Sequence, residues 1–286
     1  MTQLQNRFLL LQPAWLPTVL FIPLLYALGW LAAVPLTLFG LPADQVSITG
    51  TVMSFLLFLL VMPRWAATRW SAARPWGELG LHNAGTKAIT ASSAALIQGI
   101  VIAVGLLTVI TSIILFGGWG RWVGQVNPVT LLNAILLCLG VGFAEELIFR
   151  GWLYQELKQT FRPEQAENAQ AIIFSLVHTR FNMQIPEILS LLVGLFLFGL
   201  VLGEMRQRNR GLLWQSIGFH GGLVALWFIL NQGIIEISQE TPSWLVGPGG
   251  EHPNPIGGLC SWILLTLLLI NGKHQRQQQY GYKRKK

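Results

Sequence analysis

The sequence predicts an all-α fold, a polytopic membrane bundle of about eight transmembrane helices with both termini in the cytoplasm. Three observations predict it. Long apolar runs recur along the 286 residues, at the length of about 20 residues that a helix needs to cross lipid. Charged residues make up only 11% and mean hydropathy is +0.53, where soluble domains carry about 25% charge. The basic residues fall on alternate connections.

The first apolar run spans about Ala14–Phe39 and the second about Ser47–Met62. The first follows a polar stretch, Thr2–Arg7, and exceeds a signal h-region, so no cleavable signal is expected. A polar stretch with Arg64, Arg69, Arg74 and Pro75 follows, and Gly77–His82 reads as an interfacial loop. The third run covers about Ala88–Leu115 and the fourth about Val129–Leu153. The fifth, Ala169–Val177, is short and crosses only if its polar flanks are buried in protein. The sixth, seventh and eighth cover about Ile188–Leu202, Leu212–Leu230 and Ile256–Ile270. Coarsely, 1–125 holds the N-terminal helices and a cytoplasmic loop, and 126–235 the core helices that carry the unusual polar residues. Residues 236–286 hold an external loop, the last span and a basic tail.

With the N-terminus inside, cytoplasmic segments collect Arg7; Arg64, Arg69, Arg74 and Lys87; Lys158 and Arg162; Arg206, Arg208 and Arg210; and Lys273, Arg276, Lys283, Arg284, Lys285 and Lys286. External loops collect Arg121 and Arg180. Sixteen against two is the asymmetry of the positive-inside rule, and dropping the fifth span would spoil it. The net charge of +7 and pI near 9.9 therefore follow from topology and not from nucleic-acid binding. The tail from Lys273 to Lys286 is expected on anionic lipid headgroups. Cys138 and Cys260 lie in apolar runs without metal-ligand spacing and read as small core residues. His82, His252 and His274 fall in polar segments and read as solvated surface. Trp65, Trp70, Trp76, Trp119 and Trp122 sit near span ends, as interfacial belts do.

The fourth run is interrupted by Glu145, Glu146 and Arg150. Each ionisable side chain near the bilayer centre costs about 2.5–3.5 kcal/mol, so such residues face a bundle interior or a wet cavity. Glu146 and Arg150 are four apart, share a helix face and are expected to pair. Glu145 is turned about 100° away and is left for proton transfer. Two histidines also lie in apolar context, His178 at the end of FSLVH and His220 amid Gly218, Gly221 and Gly222. Those glycines let either a neighbouring helix or a substrate approach closely.

EELIFR (Glu145–Arg150), FSLVH (Phe174–His178) and a later helix bearing His220 occur in this order. The pattern resembles the CPBP family of CAAX-protease and bacteriocin-processing (Abi) intramembrane proteases, which includes the type II CAAX prenyl endopeptidases. The resemblance covers about Val129–Asn231. It implies a cavity open to the cytoplasmic leaflet and an endopeptidase acting on a membrane-associated protein or peptide. It also implies roles: Glu145 assisted by His178 to activate water, Glu146 with Arg150 to organise the site, and His220 to stabilise the oxyanion. Members often carry a polar residue four positions after the last histidine. Here that residue is Val224. Asn231 shares the face of His220 but lies about 16 Å along the axis, and Ser216 is the nearer stand-in. No cofactor is expected; the alternative is zinc on Glu145, His178 and His220, with an open position for water. Two other function classes compete: a scaffold, immunity factor or chaperone that keeps the fold, and a proton-coupled carrier using Glu145, Glu146 and Arg150 as a relay. The expected location is the plasma membrane of a bacterium.

Overall fold

In a computed structural model, residues 2–82, 88–250 and 253–283 are described. His252 and the end of the basic tail lie outside them. About 77% of the chain is helical. Six helices are long and apolar enough to cross a membrane: Leu16–Phe39, Ala43–Arg69, Thr90–Phe116, Pro128–Leu157, Ile185–Arg208 and Trp214–Ile234. They match six of the eight apolar runs, so the molecule is a polytopic helical membrane protein. The fifth and eighth runs form helices that fall short of that measure. One is only 16 residues long, and the other carries Asn271, Lys273, His274, Gln275 and Arg276 in its second half.

The chain divides into two compact units, Met1–Glu78 and Leu79–Lys286. The first contains α1 (Thr2–Leu9), α2 (Leu16–Ala33, continued as a 3₁₀ turn over Val34–Phe39), α3 (Val46–Arg69) and the short α4 (Pro75–Glu78). Helix α2 buries Pro17, Phe21, Leu25, Gly29 and Ala33, and α3 buries Val46, Gly50, Ser54, Phe58 and Met62. Each set repeats every four residues, so the pair meets along two single i+4 ridges. Outward-facing side chains such as Leu31 and Leu60 stay exposed, as suits lipid contact. Trp65 departs from the interfacial-belt expectation. It is fully buried, 4.2 Å from the Phe21 ring, because it stands three residues after Met62 and so beside the α3 ridge that Ala66 continues.

The second unit opens with α5 (Ala88–Phe116) and β1 (Gly120–Trp122), followed by α6 (Pro128–Glu146). Helix α6 runs on through a π-helical segment, Leu147–Leu153, into α7 (Tyr154–Leu157). Then come α8 (Pro163–His178), α9 (Ile185–Arg208), α10 (Trp214–Ile229, extended by a π turn over Leu230–Ile234) and β2 (Ile235–Ile237). The unit closes with α11 (Ser243–Val246) and α12 (Leu259–Lys283). Helix α10 is central and packs on α5, α6 and α9, while α9 packs on α8 and α12. Every residue from Gln215 to Leu223 is buried, as expected of a helix surrounded on all sides. Helices α6 and α10 cross at Gly142 and Gly221. A Cβ on Gly142 would stand 2.6 Å from the Gly221 Cα, and one on Gly221 would collide with the Cys138 carbonyl. Of the two uses the sequence left open for glycines here, Gly221 thus serves helix approach. One feature lies outside the all-α expectation. The loops at one end form a two-stranded antiparallel ribbon, with Arg121 opposite Glu236 and the two joined by an ion pair.

Candidate active site

The close crossing of α6 and α10 places Glu145 and Glu146, at the end of α6, beside His220. The helix then widens into its π segment, a feature often found at functional sites. Arg150 lies within that segment and turns back on Glu146, Nη1 to Oε1 at 2.8 Å. Arg206 of α9 donates to the Arg150 carbonyl and so props the widened turn from outside. The same Glu146 Oε1 accepts from His220 Nδ1 at 2.8 Å. Glu146, Arg150 and His220 form a buried row, their side chains 0–5% exposed.

Glu145 and His178 face open space. Their side chains are 26% and 29% exposed, and His178 Nε2 lies 2.9 Å from Glu145 Oε2. His220 Nε2 lies 3.6 Å from the same oxygen. Despite the 2.9 Å contact, Glu145 Oε2 accepts no aligned hydrogen bond. The tautomer explains what this contact requires. His178 Nδ1 lies 2.8 Å from the Phe174 carbonyl, which can only accept, so Nδ1 carries a proton. Nε2 of a neutral imidazole is then an acceptor, facing a carboxylate oxygen that is also an acceptor. Two acceptors approach to 2.9 Å only with a proton between them.

All five residues singled out in the sequence are thus brought together. The sequence missed the aromatic scaffold around them. The Phe174 ring is 4.2 Å from that of His178 and carries the Arg150 guanidinium 4.1 Å above its face. Phe198 meets His220 edge-on at 5.1 Å. Phe174 stands in the FSLVH motif, but Phe198 lies in an unbroken apolar run with nothing to mark it. The stand-in suggested for the position of Val224 is overturned. Ser216 is fully buried and its hydroxyl donates to the Leu213 carbonyl at 2.8 Å, as helical serines do. Val224 and Asn231 both line the site cavity.

The cavity holds about 430 Å³ and contains Glu145, His178 and His220 on its wall. From there it runs between α9 and α10 toward Arg180, Met183 and the Pro248–Ile256 loop. That end is opposite the one bearing Arg206, Arg208 and Arg276.

Zinc would need Glu145, His178 and His220 as ligands. Tetrahedral ligands at about 2.0–2.1 Å from zinc sit about 3.3 Å apart, and Glu145 Oε2 lies 2.9 Å from His178 Nε2 and 3.6 Å from His220 Nε2. Among the described residues no three His, Cys, Asp or Glu side chains are grouped to hold a metal ion.

Residues 2–74 match the family model of a domain of unknown function (DUF8676). No curated protein and no solved structure matches the chain. Residues 127–226, which include all five site residues, match the family model described as type II CAAX prenyl endopeptidase Rce1-like, and over that stretch the chain is similar to the CAAX proteases its motifs resemble.

Proposed function

We propose that the protein is an intramembrane endopeptidase that hydrolyses a peptide bond by water activated between Glu145 and His178. One observation carries this reading: an open Glu145–His178 pair, 2.9 Å apart, shares one cavity with His220 inside a segment matched to a protease family. The pair holds one proton at rest. It takes a second from the attacking water as the hydroxide adds to the scissile carbonyl, and gives it to the leaving amine as the C–N bond breaks. Such proton transfer is worth about 10²–10⁴-fold in rate.

The oxyanion needs a donor facing it. His220 Nδ1–H is directed at Glu146, so Nε2 serves as that donor only when both ring nitrogens are protonated. Glu146 then carries the compensating charge and Arg150 holds Glu146 in place. Val224 supplies no donor beside it, so this chain has one oxyanion donor from α10 at that point. No step is routed through a metal. The substrate is a membrane-associated protein or peptide, and the basic tail rests on anionic lipid. The cells are bacterial, and the basic helix ends face their cytoplasm.

The test is comparative membrane proteomics of cells expressing wild type or Glu145→Gln. Peptides trimmed by wild type and intact in the variant are expected, and identical peptide sets reject the reading. Val224 favours one alternative, a scaffold that keeps the fold without cleaving. Under it, Glu145→Gln complements a deletion strain fully.

A further inference from the structure

We infer that a cleft between α5 and α12, separate from the cavity that holds Glu145, binds an anionic phospholipid. Arg208 takes the phosphate, and an acyl chain lies along the apolar part of the cleft.

The cleft follows from the packing of four helices. Helix α5 packs on α10 and α12 packs on α9, and a space of about 590 Å³ remains between α5 and α12. That is within the range of about 300–1,000 Å³ usual for small-molecule sites. Helix α9 supplies Val201, Glu204, Met205 and Arg208 to its wall, and α12 supplies Leu268, Asn271, Gly272 and Gln275. Each set has the spacing i, i+3, i+4, i+7, so each is a single helix face. Gly272 lets the two faces close beneath the cleft, since a Cβ there would stand 2.8 Å from Glu204 Cγ. On the other wall, Ile97 and Val101 are 59% and 62% exposed, on a helix long and apolar enough to cross a membrane. The rim of the cleft therefore meets lipid.

Polarity changes in step along the walls. Toward the end where α9 finishes, Val201 gives way to Arg208 on α9, and Leu268 gives way to Gln275 on α12. Gln215, the second residue of α10, closes that polar end. The order is that of a lipid entering sideways, with chain against Val101, Ile102, Val201 and Leu268 and headgroup against Arg208.

Charge selects the headgroup. Arg208 Nη1 donates to Gln275 Oε1 at 2.8 Å, and Nη2 donates to Gln215 Oε1 at 3.0 Å. Both acceptors are neutral amides, and Gln215 Oε1 is fixed further by Asn209 Nδ2 at 2.7 Å. The carboxylate in the lining, Glu204, lies 3.1 Å from Arg276 instead. Among the described residues, the Arg208 guanidinium is thus oriented by two glutamines and paired with no carboxylate. Its planar fork has five N–H donors and matches phosphate geometry. Basic pockets between membrane helices bind anionic headgroups. A choline headgroup brings its own cation beside Arg208 and gains less. The bound lipid bridges α5 and α12 across α10, the helix that carries His220, and so stabilises the folded bundle.

The experiment needs no turnover. Native mass spectrometry of the detergent-purified full chain, titrated with phosphatidylglycerol or phosphatidylcholine, measures retained lipid, and thermal unfolding is read in parallel. Phosphatidylglycerol is expected to bind about fivefold more tightly than phosphatidylcholine, the worth of one basic contact, and to raise the unfolding temperature. Arg208→Gln is expected to abolish that preference. Val101→Trp fills the cleft from its lipid side without altering charge and is expected to weaken both lipids. Lys273→Gln, on the same helix but outside the lining, is expected to change binding much less than Arg208→Gln does. Preference kept by Arg208→Gln, or lost equally in Lys273→Gln, overturns the assignment, the second because attraction is then diffuse. Inorganic phosphate that stabilises as well as the lipid also overturns it, since no chain is then needed. Should Arg208→Gln fold poorly, Val101→Trp decides alone: unaltered phosphatidylglycerol binding in that variant removes the cleft as the site.

Discussion

The buried and open halves of the site are made from the same residue types in different surroundings. Glu146, Arg150 and His220 are sealed from solvent, and Glu146 Oε1 accepts from both neighbours at 2.8 Å. Glu145 and His178 are one helix position and one helix away, yet are a quarter exposed and share a contact without an aligned hydrogen bond. Both halves leave atoms without a hydrogen-bond partner, Glu146 Oε2 and Arg150 Nε and Nη2 in the row and Glu145 Oε2 in the pair, so the difference is one of burial. A buried ionic row must be paired to exist at all, while a half-open pair gains chemistry from staying incomplete. The first half should therefore fail in folding and the second in catalysis.

The largest expected effect is on the buried row. Removing one partner of a buried pair leaves the other charged and unpaired, at about 3–5 kcal/mol. Arg150→Ala is expected to lose most folded protein, read by size-exclusion chromatography and thermal unfolding in detergent. The double variant Glu146→Leu with Arg150→Met is expected to fold better than Arg150→Ala, because it buries no orphan charge. A double variant less stable than the single would break the comparison.

The open pair should behave in the opposite way. Glu145→Gln and His178→Ala are each expected to lower cleavage about 10²–10⁴-fold with thermal unfolding shifted by about 1 kcal/mol or less. Loss of fold in step with activity would erase the distinction between the halves. Chelation sharpens the same point. Because the open pair closes to 2.9 Å, cleavage is expected to survive washing with a strong chelator. Activity that vanishes and returns with stoichiometric zinc would reassign Glu145, His178 and His220 as ligands.

Much of this was legible in the sequence, and for identifiable reasons. Lipid imposes a length, so six spans stood out as apolar runs. Helix α8 was visible only as a short segment, flanked by Glu164 and Glu167, and helix α12 was read as an eighth span although Lys273–Arg276 bring charge into its second half. The Glu146–Arg150 pair followed from spacing alone, since residues four apart share a face even where the helix loosens into a π turn. The meeting of Glu145 with His178 and His220 is tertiary; ionisable residues on neighbouring apolar runs pointed to a shared site, and the resemblance gave each its role. Ser216 was misjudged because spacing gives a face but not the hydroxyl's preference for its own helix backbone. The direction of the cavity was out of reach. It depends on where Pro248, Pro253 and Asn254 lie along the cavity, and a loop rich in Gly and Pro carries no periodicity to read.

The smallest expected effect concerns an acidic pair outside the site. Glu167 of α8 lies outside the six spans. It is buried near Glu204, with Lys273 and Arg276 opposing them. Burial first, and the Glu204 charge second, raise its carboxyl from 4.5 to about 7. A carboxyl raised in the fold favours folding while neutral. That contribution is full below about pH 4.5 and is lost as pH rises through about 7. Glu167→Gln keeps a neutral group of the same shape at all pH. Thermal unfolding of wild type is therefore expected to soften between about pH 5 and 8, and that of Glu167→Gln to stay flat over the same window. Superimposable profiles would show that Glu167 is already ionised and paired with the α12 cations, and would place it with the buried row as a second buried ionic cluster.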